Sequence, residues 1–284
     1  MTRKSGPPHK RRKYTHEVAN PEDLLELTND KQLNELEFGS ETAENSTTLD
    51  EKYFAQRYRF WSRYDEGIWM DETGWYSVTP ELIAEHLANR CCDYEKKVTV
   101  IDAFSGVGGN AIQFALHENC ERVIAVELNE NRIKCAAHNA SIYGVADKIE
   151  FIQADFFDLA KSGCLKRITK EQDCLVVFLS PPWGGPEYIL SEEYDLKTMM
   201  QPMDGNEILH IVRRTISRNV CYLLPKNTPI KQVGLLAEPG EPCEYERNYL
   251  NGKVKMVSAY FGGLCLLHSH YTGEENPKID VSQI

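Results

Sequence analysis

The sequence predicts an α/β fold: a mostly parallel seven-stranded sheet with a C-terminal antiparallel hairpin, preceded by a small helical extension. Three observations predict it. From Val98 onward, short apolar runs alternate with stretches of helical period, the pattern of strand–helix–strand units whose sheet is covered on both faces. Asn251-Gly252 separates two strand-like runs, and that dipeptide favours a type I′ turn. Ahead of Val98, aromatic and basic residues crowd a segment whose spacing is helical.

Taken in order, the extension spans 49–95. Tyr53, Phe54, Arg57, Tyr58 and Trp61 suit one helix with an apolar face, and most of the segment's aromatics are expected in the core. Pro80 opens a second helix, Glu81 to Asn89, with Thr79 as its N-cap. The main domain, 96–270, then reads as strand Val98–Asp102, helix Gly108–Leu116, strand Arg122–Glu127, helix Asn131–Tyr143 and strand Ile149–Gln153. An irregular or helical crossover follows over 157–170, then a buried strand Cys174–Leu179, helix Gly205–Ser217 and strand Val220–Leu224. A short helix Ile230–Leu236 and the strands Glu244–Tyr249 and Val254–Phe261 close the fold. Residues 1–48 read as a disordered basic arm and acidic linker, with one short helical stretch, Glu22–Leu36, and residues 271–284 as a polar tail.

Composition narrows the function. The longest apolar run, Cys174 to Leu179, is far short of the ~20 residues of a membrane span, so no membrane partner is expected. Nine cysteines contain no C-x-x-C pair, which points to reduced thiols and neither a disulfide framework nor a zinc cluster. Net charge is −11, yet Arg3, Lys4, Lys10, Arg11, Arg12 and Lys13 stand without any acid before Glu17. An acidic body with a basic arm is not a general nucleic-acid-coating protein; the arm suits nuclear import or RNA phosphates.

Two strand ends carry chemistry. The first strand runs into Asp102-Ala103-Phe104-Ser105-Gly106-Val107-Gly108-Gly109-Asn110, where glycines let a ligand approach the backbone. The second ends in Glu127, placed to accept both hydroxyls of a ribose. The pair fits NAD, FAD or S-adenosylmethionine; the missing third glycine of G-x-G-x-x-G weighs against NAD. Asp155-Phe156, ending the third strand, suits an adenine amino group and ring. The fourth strand enters Ser180-Pro181-Pro182-Trp183-Gly184-Gly185-Pro186-Glu187-Tyr188. Two prolines fix the directions of the Ser180 and Pro181 carbonyls, and Trp183 offers a broad flat face. Acceptors that grip an aromatic NH2 help its nitrogen rehybridise toward a methyl donor, so positioning rather than a strong base supplies the rate.

Ser180 to Tyr188 resembles the motif of the trimethylguanosine synthases. The likeness extends through Lys52–Tyr58, Gly74–Pro80, Asp102–Phe104, Gly106–Asn110, Tyr143–Ile149 and Leu224–Asn227, over about residues 50 to 262. The resemblance implies a class I, Rossmann-like methyltransferase whose extension closes over the site. It implies two successive methylations of N2 on a 7-methylguanosine cap, giving 2,2,7-trimethylguanosine, with S-adenosylmethionine as donor, S-adenosylhomocysteine as product and no metal. Capped small nuclear and nucleolar RNAs, their RNP proteins, a monomeric enzyme, and a nuclear and nucleolar location with a cytoplasmic fraction are the expectations that follow.

By the same likeness Trp183 stacks on the 7-methylguanine, whose positive charge favours the indole face, and Ser180 and Pro181 hold the N2 amine. Lys52, Tyr188, Lys226 and Asn227 meet the triphosphate, and Ser77 and Thr79 lie where cap and cofactor approach. Trp61 covers the donor, which Asp102, Phe104, Gly106, Asn110, Glu127, Asp155 and Phe156 cradle. Trp61 stands where relatives often have phenylalanine, Glu127 where aspartate is common, and Lys226 where arginine is common, losing the bidentate fork. Two other readings share parts of the pattern: an N6-adenine methyltransferase, which uses similar P-P-aromatic loops, and a catalytically silent cap-binding or RNP-assembly protein. Trp183-Gly184-Gly185-Pro186 with the aromatic extension argues against the first, and the intact Asp102, Gly106, Glu127 and Ser180 against the second.

Overall fold

The computed structural model describes residues 51–169 and 174–265. The basic arm, the acidic linker, the Glu22–Leu36 stretch and the polar tail lie outside the described residues. The extension contributes α1 (Glu51–Phe54), α2 (Arg57–Phe60), α3 (Gly74–Ser77) and α4 (Glu81–Cys92). There follow β1 (Val98–Asp102), α5 (Gly109–Leu116), β2 (Cys120–Glu127), α6 (Glu130–Tyr143), β3 (Ile149–Gln153), α7 (Phe156–Ser162), α8 (Cys164–Ile168) and β4 (Leu175–Leu179). The chain ends with α9 (Gly205–Thr215), β5 (Val220–Pro225), α10 (Ile230–Leu235), β6 (Cys243–Leu250) and β7 (Lys253–Phe261).

The seven strands lie in the order β3-β2-β1-β4-β5-β7-β6. The pairings from β3 to β5 are parallel, and β7 enters antiparallel between β5 and β6. The hairpin forms as Asn-Gly dictates, with positive φ at Asn251 (52°) and Gly252 (68°). Strand order reverses between β1 and β4, so the two loops read as functional leave neighbouring strands at one crevice, the usual ligand position in an open parallel sheet. Central strands β1 and β5 are buried throughout and β4 at every residue but Leu175, which is why they read as largely apolar runs.

Three local expectations in the extension are corrected. The helix expected through Tyr53 to Trp61 is two four-residue turns broken at Ala55-Gln56. One continuous helix would aim Phe54 and Trp61, seven apart, along the same stripe. The break lets Trp61 enter the core at 1% exposure while Phe54 stays exposed against Arg57 and Trp75. Tyr58 and Tyr76 are exposed too, so the aromatics divide between core and surface. Thr79 is not the cap of α4: Pro80 holds that position, and the Thr79 hydroxyl accepts a hydrogen bond from Asn110 Nδ2 at 3.0 Å. The crossover after β3 is helical, one of the two forms expected for it, and consists of α7 and α8 divided by Gly163 at φ 71°.

The extension is tied to the sheet by groups far apart in sequence. Asn139, fully buried on α6, accepts from Trp69 N at 2.8 Å through Oδ1. Its Nδ2 donates to Trp69 O and to Val107 O, both at 3.0 Å. One amide thus joins the extension to the glycine turn. Arg132 bonds Asp71 at 2.7 Å, whose other oxygen accepts from Gly74 N at 2.7 Å.

Candidate active site

Two cavities lie beyond the C-terminal ends of β1, β2 and β4. The larger, about 280 Å³, is walled by the glycine turn, the end of β2 and the Ala154–Phe157 turn. The smaller, about 90 Å³, holds Trp183, Tyr188 and Pro181. Ser77, Thr79 and Ser180 line both, so the cavities share a wall built by α3, the segment before α4 and the end of β4.

The sequence of the glycine turn explains the larger cavity. Gly106 has φ +53°, and a side chain there would meet nothing within 4 Å, so its open side faces space. Gly108 has φ +93°, and a Cβ would lie 3.1 Å from the backbone of Ala136, so the turn packs tightly on α6. Glu127 Oε2 accepts from Gly106 N at 3.0 Å and Oε1 from Asn129 N at 2.8 Å. Each carboxylate oxygen has a second lone pair, so Glu127 can brace the turn and still accept from two ribose hydroxyls. Asn110 gives Nδ2 to Thr79 and leaves a buried Oδ1 without a partner among the described residues. That acceptor, the open face of Gly106 and the Glu127 carboxylate fit the ammonium and ribose of S-adenosylmethionine. Phe104 and Phe156, in ring contact at 5.5 Å, supply an apolar wall. Asp155 lines this cavity while its Oδ1 caps α7 through Phe157 N and Asp158 N.

Two residues read as cofactor ligands stand elsewhere. Trp61 lines neither cavity; its indole N–H reaches Met70 Sδ at 3.1 Å and its ring edge approaches the Cβ position of Gly109. It supports the turn from beneath because the break between α1 and α2 turns it inward. Asp102 also lies behind the wall, fully buried, with Oδ1 3.4 Å from Phe104 N and Oδ2 without a hydrogen-bond partner among the described residues. Burial pushes its carboxyl up to about 7, against the pull of the Phe104 N–H, and the nearby Glu127 charge adds to the rise. A folded-state pKa above the ordinary 3.8 favours the protonated native form. This contribution is fully present below about pH 4 and is lost as pH rises through about 7. Asp102→Asn is therefore expected to gain stability over the native protein as pH increases from 5 to 9, measured by thermal unfolding. A pH-independent difference contradicts the assignment.

In the smaller cavity, Gly184 and Gly185 at φ 84° and 92° turn the chain so that Trp183 lies edge-on to Tyr188, centroids 5.4 Å apart and planes at 89°. The indole N–H of Trp183 is buried without a partner among the described residues. Pro182 O accepts from Gln201 N at 3.0 Å, fixing the loop. Among the described residues no hydrogen bond reaches the carbonyls of Ser180 or Pro181, so both remain acceptors. Asn227 departs from its expected role. Its Nδ2 donates to Tyr188 O at 3.2 Å and Ser191 O at 2.9 Å, so its donors position the Tyr188 turn rather than a phosphate. Lys52 and Lys226 are exposed, Lys52 with its ammonium 5.3 Å from the Tyr53 ring centre. No described histidine lines either cavity.

Sequence reasoning missed Asn139, Arg132 and the Gln201-Pro202 wall of the larger cavity. Arg132 and Gln201 lie outside every motif, and the partners of Asn139 are 70 and 32 positions away, beyond any local spacing rule.

Residues 97–264 match the RNA cap guanine-N2 methyltransferase family. The chain is 40% identical over 213 residues to a trimethylguanosine synthase from Schizosaccharomyces pombe, covering 74% of this chain and 84% of that one. It is 34% identical over 239 residues to a trimethylguanosine synthase from Saccharomyces cerevisiae, covering 82% and 73%. Among solved structures, the delta-N methyltransferase domain of METTL16 superposes with a TM-score of 0.51 at 18% identity, covering 75% of this chain and 99% of that chain, a likeness of fold. The matched region runs from before β1 to the end of the sheet and contains both functional loops. A guanine-N2 target and a methyltransferase activity set aside the adenine and silent readings. The chain belongs to the RNA cap guanine-N2 methyltransferases, enzymes that depend on S-adenosylmethionine.

Proposed function

We propose that the protein methylates N2 of a 7-methylguanosine cap twice in succession, forming 2,2,7-trimethylguanosine on small nuclear and nucleolar RNAs. The shared wall of Ser77, Thr79 and Ser180 carries this reading, because it sets the cavity of Trp183 and Tyr188 directly against the one lined by Gly106, Asn110 and Glu127. When bound, S-adenosylmethionine supplies an electrophilic methyl on a sulfonium. Trp183 then holds the cationic purine flat, and the carbonyls of Ser180 and Pro181 accept from its amine and aim the nitrogen lone pair across the wall. The new N–C bond forms as the S–C bond breaks, and the amine proton leaves to solvent after transfer. Orientation of this kind supplies much of the rate acceleration, so the absence of histidine from the cavity linings is no obstacle. The rest of the cradle follows the larger cavity: Glu127 to the ribose, Asn110 Oδ1 to the ammonium, Phe104 and Phe156 to the adenine.

The protein is proposed to act as a monomer in the nucleus and nucleolus, with a cytoplasmic fraction, in contact with RNP proteins. The run Lys10-Arg11-Arg12-Lys13 supports the import part of that reading. Mass analysis over time with 7-methyl-GTP and S-adenosylmethionine tests the chemistry. A monomethylated and then a dimethylated product are expected, with none from GTP. Methylation of GTP at a similar rate, or an end point at one methyl group, overturns the proposal.

A further inference from the structure

The cations beside the small cavity extend past Lys52 and Lys226. Lys255, half-buried on β7, has its ammonium pKa lowered first by burial and then by the charges of Arg59, Lys253, Lys226 and Lys52. Five cations from the extension, the end of β5 and the hairpin therefore share one surface. Strand register explains part of it. Pro225 pairs with Met256, so Lys226 and Lys255 are next to one another where β5 ends. Leu250 pairs with Lys253, which puts Lys253 at the hairpin tip. The surface begins at the cavity rim: Met256 lines the cavity, and the Tyr188 hydroxyl, itself raised by burial, also feels Tyr53, the neighbour of Lys52.

Among the described residues, Lys226, Lys253 and Lys255 have no carboxylate within ion-pair distance. In the same protein, whose net charge is −11, Arg63, Arg90, Arg122, Arg132, Arg213 and Arg218 each have one. Like charges gathered on paired strands are destabilising unless an anion joins them. From Met256 at the cavity to Lys253 at the tip is three strand residues, roughly 10 Å, so the cations run outward from the cap. Resting on the cap reading, we propose that Arg59, Lys253 and Lys255 form a sequence-independent track for the phosphodiester backbone of the first nucleotides downstream of the cap.

The test compares 7-methyl-GTP with a capped oligoribonucleotide of about ten nucleotides as substrates of the full chain, over a range of salt. The native protein is expected to show a several-fold lower KM for the capped oligonucleotide and a steeper salt dependence. The Arg59→Gln/Lys253→Gln protein should raise that KM about 5- to 10-fold and flatten the log–log salt slope by about 1.4, since each single-strand phosphate that is no longer neutralised removes about 0.7. Its rate on 7-methyl-GTP should stay within twofold, and Arg59→Lys/Lys253→Arg should restore the native values. An unchanged oligonucleotide KM and slope in the Gln variant overturns the track and leaves these cations to another anion, such as an acidic protein segment. An equal loss on both substrates also overturns it. Failure of the native protein to methylate 7-methyl-GTP would instead strike the cap reading beneath.

Discussion

Trp183→Ala is expected to lower kcat/KM on 7-methyl-GTP by about 10²- to 10³-fold while leaving S-adenosylhomocysteine binding within twofold. The indole face attracts a charged purine by up to about 2 kcal/mol when the pair is desolvated. Loss of the platform also lets the amine wander from the methyl donor, and misplacement alone can cost about 100-fold. Cofactor binding is spared because Trp183 lines the small cavity and not the large one. The fold should survive, since the ring is only partly buried and its N–H has no partner among the described residues to lose. Trp183→Phe should fall between the two, keeping a weaker face and no unsatisfied donor. Turnover by Trp183→Ala at the native rate would remove stacking from the mechanism; a parallel loss of S-adenosylhomocysteine binding would show the two cavities are not separable.

Asn139→Ala carries the largest expected effect on stability. It deletes one acceptor and two donors in a fully buried position and strands Trp69 N, Trp69 O and Val107 O. Unsatisfied buried groups cost about 1–3 kcal/mol each, partly relieved by relaxation or water, so a loss of about 3 kcal/mol is expected. For a chain of this size that lowers Tm by roughly 6–12 °C. Because Val107 belongs to the glycine turn and Trp69 to the extension, KM for S-adenosylmethionine should rise as well, and proteolysis within 51–92 should quicken. A Tm within one degree of native would show that the amide does not hold the extension.

Legibility in the sequence differs by residue. The central strands β1, β4 and β5 are readable because strands buried on both faces must be apolar along nearly all their length, and the hairpin because Asn251 and Gly252 tolerate positive φ. The glycine turn, Glu127 and the Ser180–Tyr188 loop are readable because their chemistry is local, each carried within a few residues of a strand end. The extension misleads where residues tolerate either environment. Trp61 and Phe54 look alike in a helical pattern, yet one is core and the other surface. Asn227 resembles a phosphate ligand by position, but its donors are used on Tyr188 and Ser191. Asp102 looks like a ligand at a strand end and lies behind the wall that Phe104 forms.

The sequence by itself determined the sheet, its hairpin and the chemistry of the two loops, since periodicity and turn residues are set by neighbours along the chain. Only the tertiary structure decided that those loops share Ser77, Thr79 and Ser180, that Asn139 clamps the extension, and that five cations gather beside the cavity. Such contacts join residues tens of positions apart. They arise from strand order and buried polar satisfaction, and no local spacing encodes either.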